Sequence, residues 1–241
     1  MGEMSQPHEG GVNSEQPWIA FLDAQLAASD PHPVEYSLFK LLRSVLLSTD
    51  QAAIAEAAQQ VDSYYHDEYL PYEMRFEDDK GMGGFLNSLY ELIYDLARLI
   101  TFNNSLQGVL IQLIVELRNL PPKLLKIWNE DSLVYIRDPI FPSLMEDNWN
   151  GNFPHSYKND ERLERECTEW VNFSAFLARC IQAGLNDQPP GGYKYPSVDI
   201  PKGLEEDHLK SVKRNCFVMV AIQYIILSGP KLEHECIGRD T

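Results

Sequence analysis

The sequence predicts an all-α fold, a single-domain bundle of about seven helices, on three observations. Nearly every apolar run recurs at three- and four-residue steps, the period of a helix with one buried face. No stretch longer than about five residues alternates with the period of a strand, and no internal repeat is present. A chain of 241 residues with 44% hydrophobic side chains supplies one core of ordinary domain size.

The elements follow in order. Trp18 to Ala28 reads as a short helix with Trp18, Phe21, Leu22 and Leu26 on one side, ended by Asp30-Pro31-His32-Pro33. Val34 to Leu47 carries the stripe Leu38, Leu41, Leu42 and Val45. Asp50 is in N-cap position for an alanine-rich helix from Gln51 to about Tyr69, with Pro71 as its stop. After an acidic, glycine-rich loop, Phe85, Leu89, Leu92, Leu96 and Ile100 mark an amphipathic helix with Asn87, Glu91, Asp95 and Arg98 on its flank. Val109 to Leu117 is apolar nearly all round, as expected of a helix in the middle of a bundle. Pro121-Pro122 opens a further short helix with Leu124, Leu125, Ile127 and Trp128 as buried candidates.

Residues 131–159 lose the pattern and read as a long connection pinned by aromatics, with Pro139, Pro142, Gly151 and Pro154 as punctuation. Asp160 to Ala183 is the clearest helix, with Leu163, Cys167, Trp170, Ser174, Leu177 and Ile181 inward and Gly184 as terminator. Residues 187–203 form a second Pro/Gly/Tyr loop. The last helix runs from about Leu204 to Ser228, where Gly229-Pro230 ends it. The domain organisation is therefore a disordered segment at 1–17, a helical domain at 18–230 and a tail at 231–241.

Charge narrows the partners. Twenty basic against thirty-six acidic residues give a net charge of −16 and a pI near 4.7. That argues against nucleic acid, whose phosphates need a dense cationic footprint, and against anionic lipid. The first seventeen residues have no Lys or Arg and no apolar stretch of secretory type. The run Phe217 to Leu227 is shorter than a membrane span requires. Cysteines 167, 180, 216 and 236 are widely spaced and read as reduced, packed thiols. The expectation is a soluble protein of the cell interior, cytoplasmic by default.

The common catalytic signatures are absent: no GxGxxG, Walker A, HExxH, GxSxG or EF-hand loop occurs. Gly81-x-Gly83-Gly84 precedes a helix, but Glu77, Asp78 and Asp79 oppose an anion there, so a plain turn is expected. A di-iron bundle needs two Glu-x-x-His pairs, and Glu205-x-x-His208 is the single one, with His66 beside Asp67 and Glu68. Glu91, Asp95 and Arg98 share one helix face, the arrangement of a solvated flank or of a carboxylate pair with its cation. No catalytic, cofactor-binding or metal residue is assigned, and no cofactor is expected.

The most informative oddity is aromatic. Trp149, Phe153 and Tyr157, joined by Tyr193 and Tyr195, are placed to line a pocket or to cap the bundle. Trp149-Asn150 followed by Glu169-Trp170-Val171-Asn172-Phe173-Ser174-Ala175-Phe176-Leu177-Ala178-Arg179 resembles an uncharacterised all-helical family of filamentous fungi, a domain of unknown function. The resemblance implies a helical fungal protein, of a kind sometimes encoded beside genes for secondary metabolites, and it carries over no catalytic residue. Read physically, Trp170, Phe173, Phe176 and Leu177 are core anchors. Arg179 is placed to pair with a loop carboxylate such as Asp147, and Asn172 to hold the loop that carries Trp149.

The expected role is therefore a non-catalytic accessory or interaction protein with a protein partner, able to self-associate through its last helix. The alternative is an enzyme or carrier that holds a small apolar metabolite beneath the aromatic loops. A carrier needs a concavity lined by Trp149, Phe153 or Tyr193. An interaction protein has those rings packed flat, or an apolar patch exposed elsewhere.

Overall fold

Proline in the first helical turn, where its missing N–H costs nothing, opens both of the first two helices, α1 (Pro17–Leu26) and α2 (Pro33–Ser48). A computed structural model of the chain describes residues 16–29, 32–73, 81–151, 154, 160–185, 193–206 and 212–237. Helix α2 buries Leu38, Leu41, Leu42 and Val45 as the stripe predicts. It ends at Thr49, left-handed at φ 54°, whose N–H returns to the carbonyl of Val45 at 2.9 Å.

Helix α3 (Gln51–Tyr64) runs on into a π-helical turn, Tyr65–Tyr69, and a last turn, Leu70–Glu73. The wider π turn lets Tyr65 and Tyr69 stack with centroids 6.2 Å apart, and both rings meet Phe85, at 5.7 and 5.6 Å. Phe85 belongs to α4 (Gly81–Leu99), the hub of the fold, which touches α1, α2, the π turn and several elements later in the chain. Its burial goes beyond one stripe: Leu86, Tyr90, Ile93, Tyr94 and Ala97 are enclosed as well as Phe85, Leu89 and Leu96. Helix α5 (Leu106–Asn119) lies mainly on α3.

The next segment is a β-hairpin, which corrects the short helix expected after Pro121-Pro122. Leu120 is driven extended (ψ 156°) before Pro121, as the residue before proline is. Strands β1 (Leu124–Ile127) and β2 (Glu130–Leu133) then pair antiparallel, with Leu124 opposite Leu133 and Ile127 opposite Glu130. Trp128 and Asn129 form the two-residue turn with φ 52° and 66°, the positive values that a type I′ hairpin needs. Of the four side chains predicted to be buried, Ile127 is, at 1% exposure, while Leu124 and Trp128 stand out at 62% and 64%. Four-residue strands are too short to write a period into the sequence.

Helix α6 (Ile140–Gly151) occupies part of the predicted irregular connection, a second correction. Asp138 starts it: its Oδ1 accepts from the Phe141 N–H at 2.9 Å and its Oδ2 from the Tyr90 hydroxyl at 3.1 Å, with Pro139 next in the chain. Burial raises the pKa of this carboxyl, and those donors pull it back. Helix α7 (Asp160–Gln182) matches the expected helix. It closes with Gly184 at φ 70° in a Schellman arrangement, Leu185 N–H to Cys180 O and Gly184 N–H to Ile181 O.

Helix α8 (Lys194–Leu204) replaces most of the predicted second loop, and α9 (Val212–Ile237) starts later and ends later than expected. Gly203 is why the two helices can touch: a Cβ there would lie 2.4 Å from the carbonyl oxygen of Phe217. Helix α9 continues past Gly229-Pro230, whose predicted stop is corrected. Pro230 is exposed, so the missing backbone bond falls on the wet side, while Leu232 beyond it packs on the core. By length and composition Val212–His234 is apolar enough to cross a membrane, and 39% of that stretch is buried in the bundle.

The fold is thus mostly helical, with nine helices among the described residues rather than about seven, and one two-stranded sheet. Where α4, α6 and α7 meet, the fully buried Tyr94 is ringed by Phe141, Phe173 and Phe176 at 5.8–6.0 Å.

Candidate functional site

Helix α7 carries the residues singled out by sequence, and their spacing separates two jobs. Trp170, Phe173, Phe176 and Leu177 are fully buried, as core anchors should be. Asn172 and Arg179, seven residues apart and so on one face, reach the turn between α4 and α5. Asn172 Oδ1 accepts from the Phe102 N–H at 2.9 Å, and its Nδ2 donates to the Arg98 carbonyl at 2.8 Å. Arg179 donates through Nη2 to the Phe102 carbonyl at 2.9 Å and through Nη1 to Gln107 Oε1 at 2.8 Å. Gln107, wholly buried, donates from Nε2 to the carbonyls of Ile100 at 2.9 Å and Asn172 at 3.0 Å. The turn at the end of α4 leaves carbonyls without helical partners, and this clamp satisfies them.

Two expectations change here. Asn172 does hold a loop backbone, but it is the α4–α5 turn and not the segment that carries Trp149. Arg179 pairs with Gln107 and Phe102 rather than with Asp147, which stays exposed on α6. Sequence reasoning misses Gln107 because it precedes the apolar run Val109 to Leu117 and looks like a solvent-side residue of α5.

Trp149 lies on the far side of α7. Its Nε1–H donates to Asp199 Oδ2 at 2.9 Å, and its ring lies 6.4 Å from that of Trp170 and 5.2 Å from that of Tyr195. Lys194 bridges to Glu146 Oε1 at 2.5 Å and places its ammonium 6.0 Å from the centre of the Trp149 ring. Asp199 is 4% exposed, and burial pushes its carboxyl up to about 6 against the opposing pull of Trp149, Tyr224 and Lys202. The hydroxyls of Tyr224 and Ser174 face this centre, both completely buried and neither in a well-formed hydrogen bond. Sequence reasoning misses Asp199 because its helix reads as loop.

Among the described residues, Trp149, Trp170 and Tyr195 pack ring against ring beside the buried Asp199. Asn150 is exposed on the last turn of α6, and Tyr193 is half-buried at the start of α8. Phe153, like Tyr157 and His208, lies outside the described residues. On α4, Arg98 bonds Asp95 and Asn148, and Asn148 donates to Glu91 Oε2 at 3.3 Å. The expected wet flank is thus a polar seam roofed by α6, with Asn148 buried. Among the described residues no three His, Cys, Asp or Glu side chains group as metal ligands.

A family model for a protein of unknown function, DUF3632, matches residues 90–241, more than half of the chain. The chain belongs to the DUF3632 family. No curated protein and no solved structure matches it. The DUF3632 match starts within α4 and takes in the clamp, the Trp149–Asp199 centre and the hairpin.

The opposite end of this DUF3632 protein is open. A cleft of about 530 Å³ lies between the hairpin and the first turns of α2 and α4, lined by His32, Glu35, Ser88, Lys126 and the exposed Trp128 among others. Gly83 and Gly84 sit in its wall as part of helix α4, so the glycine cluster expected as a plain turn begins a helix instead. A second cleft, between α1 and α2, is lined by Asp23, Tyr36, Arg43 and Leu47. Neither cleft touches Trp149, Trp170 or Tyr193.

Proposed function

We propose that this DUF3632 protein is a non-catalytic accessory protein of the cell interior that acts by binding another protein, through the hairpin end of the bundle. The observation that carries the reading is Trp128. A bulky side chain is held at positive φ, where only glycine and asparagine sit comfortably, and its ring is 64% exposed, with Leu124 at the start of the strand leading to it 62% exposed. The type I′ turn accounts for the backbone there but not for an aromatic side chain left in water, and large aromatics dominate protein interfaces.

The rings of Trp149, Trp170 and Tyr195 support the same reading from the other side, because among the described residues they pack against one another. The resemblance carries the proposal further, to a fungal accessory protein working beside secondary-metabolite enzymes. On α9, Ile225 and Ile226, 46% and 69% exposed, offer a ridge for self-association.

The experiment combines native mass spectrometry of the full chain with photocrosslinking from position 128. The expected result is a mass without adduct and one crosslinked protein, lost when Leu124→Glu is added. A small-molecule adduct released on denaturation, with no protein crosslink from position 128, would overturn the reading in favour of a carrier or enzyme.

A further inference from the structure

Three of the four cysteines have described side chains, all buried and free, and two of them are neighbours in space. Cys167 is on α7 and Cys216 near the start of α9, helices that pack along much of their length. The Cys216 thiol lies 3.6 Å from the Cys167 carbonyl oxygen, within sulfur hydrogen-bond reach, which brings the two cysteines together across the α7–α9 contact. Their exposures are 5% for Cys167 and 4% for Cys216, so each is shielded from large reagents while lying against the other. Cys180, thirteen residues along α7, is fully buried with burial raising its pKa, and makes no such pairing.

We propose that Cys167 and Cys216 form a two-electron redox pair that a hydroperoxide closes to a disulfide between α7 and α9. The two thiols are unequal. The hydrogen bond with Cys216 and the Lys213 ammonium favour the thiolate at Cys167 against the opposing pull of burial, Glu166 and Glu164, whereas its neighbour and burial keep the thiol of Cys216 protonated. The Cys167 thiolate attacks one peroxide oxygen, the O–O bond breaks, and the leaving hydroxide takes a proton to become water. The resulting sulfenic acid is then attacked by the sulfur of Cys216. The S–O bond breaks, a second water leaves, and the S–S bond forms. In sum, two thiols and one hydrogen peroxide give one disulfide and two waters. The bond ties together positions 49 residues apart and encloses α8 in the loop.

The test treats the full-length chain with hydrogen peroxide, alkylates the remaining thiols and maps the digest by mass spectrometry. The expected product joins the peptides containing Cys167 and Cys216, two hydrogens lighter than their sum and separated again by a reductant, with Cys180 alkylated. Closing a loop of this length should raise the thermal midpoint by about 5–10 °C. Cys180→Ser should leave both results unchanged, and Cys167→Ser should abolish them. Two outcomes overturn the proposal: over-oxidation of Cys167 without the crosslink, or both thiols still alkylated after peroxide in a chain that keeps its helical circular dichroism. The Cys180→Ser chain serves as the second readout if Cys167→Ser does not fold.

Discussion

The two ends of this bundle treat their polar and aromatic groups in opposite ways. Around α7 the side chains of Asn172, Arg179, Gln107, Trp149 and Asp199 are turned inward, each against a partner on another element. At the hairpin, Trp128 and Lys126 line an open cleft, with the turn backbone at positive φ, and Leu124 is exposed at the start of the strand. Helix α4 links the two, since its last turn is gripped by the clamp and its first turns wall the cleft. The contrast teaches that an uncommon sequence motif is not by itself a site. The motif of α7 is explained by what it must satisfy inside the fold, whereas at the hairpin tip the turn explains the backbone but not the exposed tryptophan.

The hardest test of the closed end is Arg179→Ala. It removes two charge-assisted hydrogen bonds and leaves Gln107 Oε1 and the Phe102 carbonyl with fewer donors in a buried setting. The expected loss is about 3 kcal/mol, read as a fall of roughly 6–12 °C in the thermal midpoint. Arg179→Lys should recover less than half of it, because a single ammonium cannot fork between the two acceptors. A midpoint that stays within a degree in the alanine variant would remove the structural account of the motif and reopen α7 as a site of chemistry.

Asp199 gives the next effect, with a pH signature. Its folded carboxyl, pushed up to about 6, is higher than that of an unfolded aspartate. Its contribution to stability is therefore full below the unfolded value near 4 and is lost as pH rises through 6. Asp199→Asn keeps an oxygen for the Trp149 N–H and removes the buried charge. The variant should be more stable than the parent at pH 7.5, by up to about 3 kcal/mol, and the gap should close by pH 4, as followed by urea unfolding. A variant less stable than the parent at pH 7.5 would mean that the ionised carboxylate is needed, and the centre would no longer count as closed.

How much of this is legible in the sequence depends on the length of the signal. Helices α2, α4 and α7 are long enough for their stripes to repeat several times, which identifies the centre of each buried face, although α4 is buried well beyond its stripe. Of the anchors, Trp170 and Leu177 come from that periodicity, while Phe173 and Phe176 come from the reading of the motif around them. The hairpin is misread because two four-residue strands are defined by a pairing across Trp128-Asn129, which leaves no repeat to count. Helices α6 and α8 are hidden by their prolines, although Asp138-Pro139 is a cap followed by a proline that suits a first turn. Asn172 reads correctly as holding a loop, but which loop is a matter of tertiary approach. Gln107 and Asp199 carry no signal at all, since a single polar residue beside an apolar run or in an irregular stretch is usually solvated.

The open end makes the subtlest prediction. Asparagine tolerates the left-handed region that tryptophan resists, so Trp128→Asn relieves the hairpin turn while removing a ring that is mostly in water. The fold should gain up to about 1 kcal/mol, from less strain set against little lost burial, while the photocrosslinked partner is no longer retained. Differential scanning calorimetry of the variant beside the parent reads the first effect, and co-purification of that same partner reads the second. Stability and binding must move apart for the comparison to hold. A destabilisation of about 2 kcal/mol or more would place Trp128 among the residues that hold the bundle together, and the two ends would then differ in exposure only.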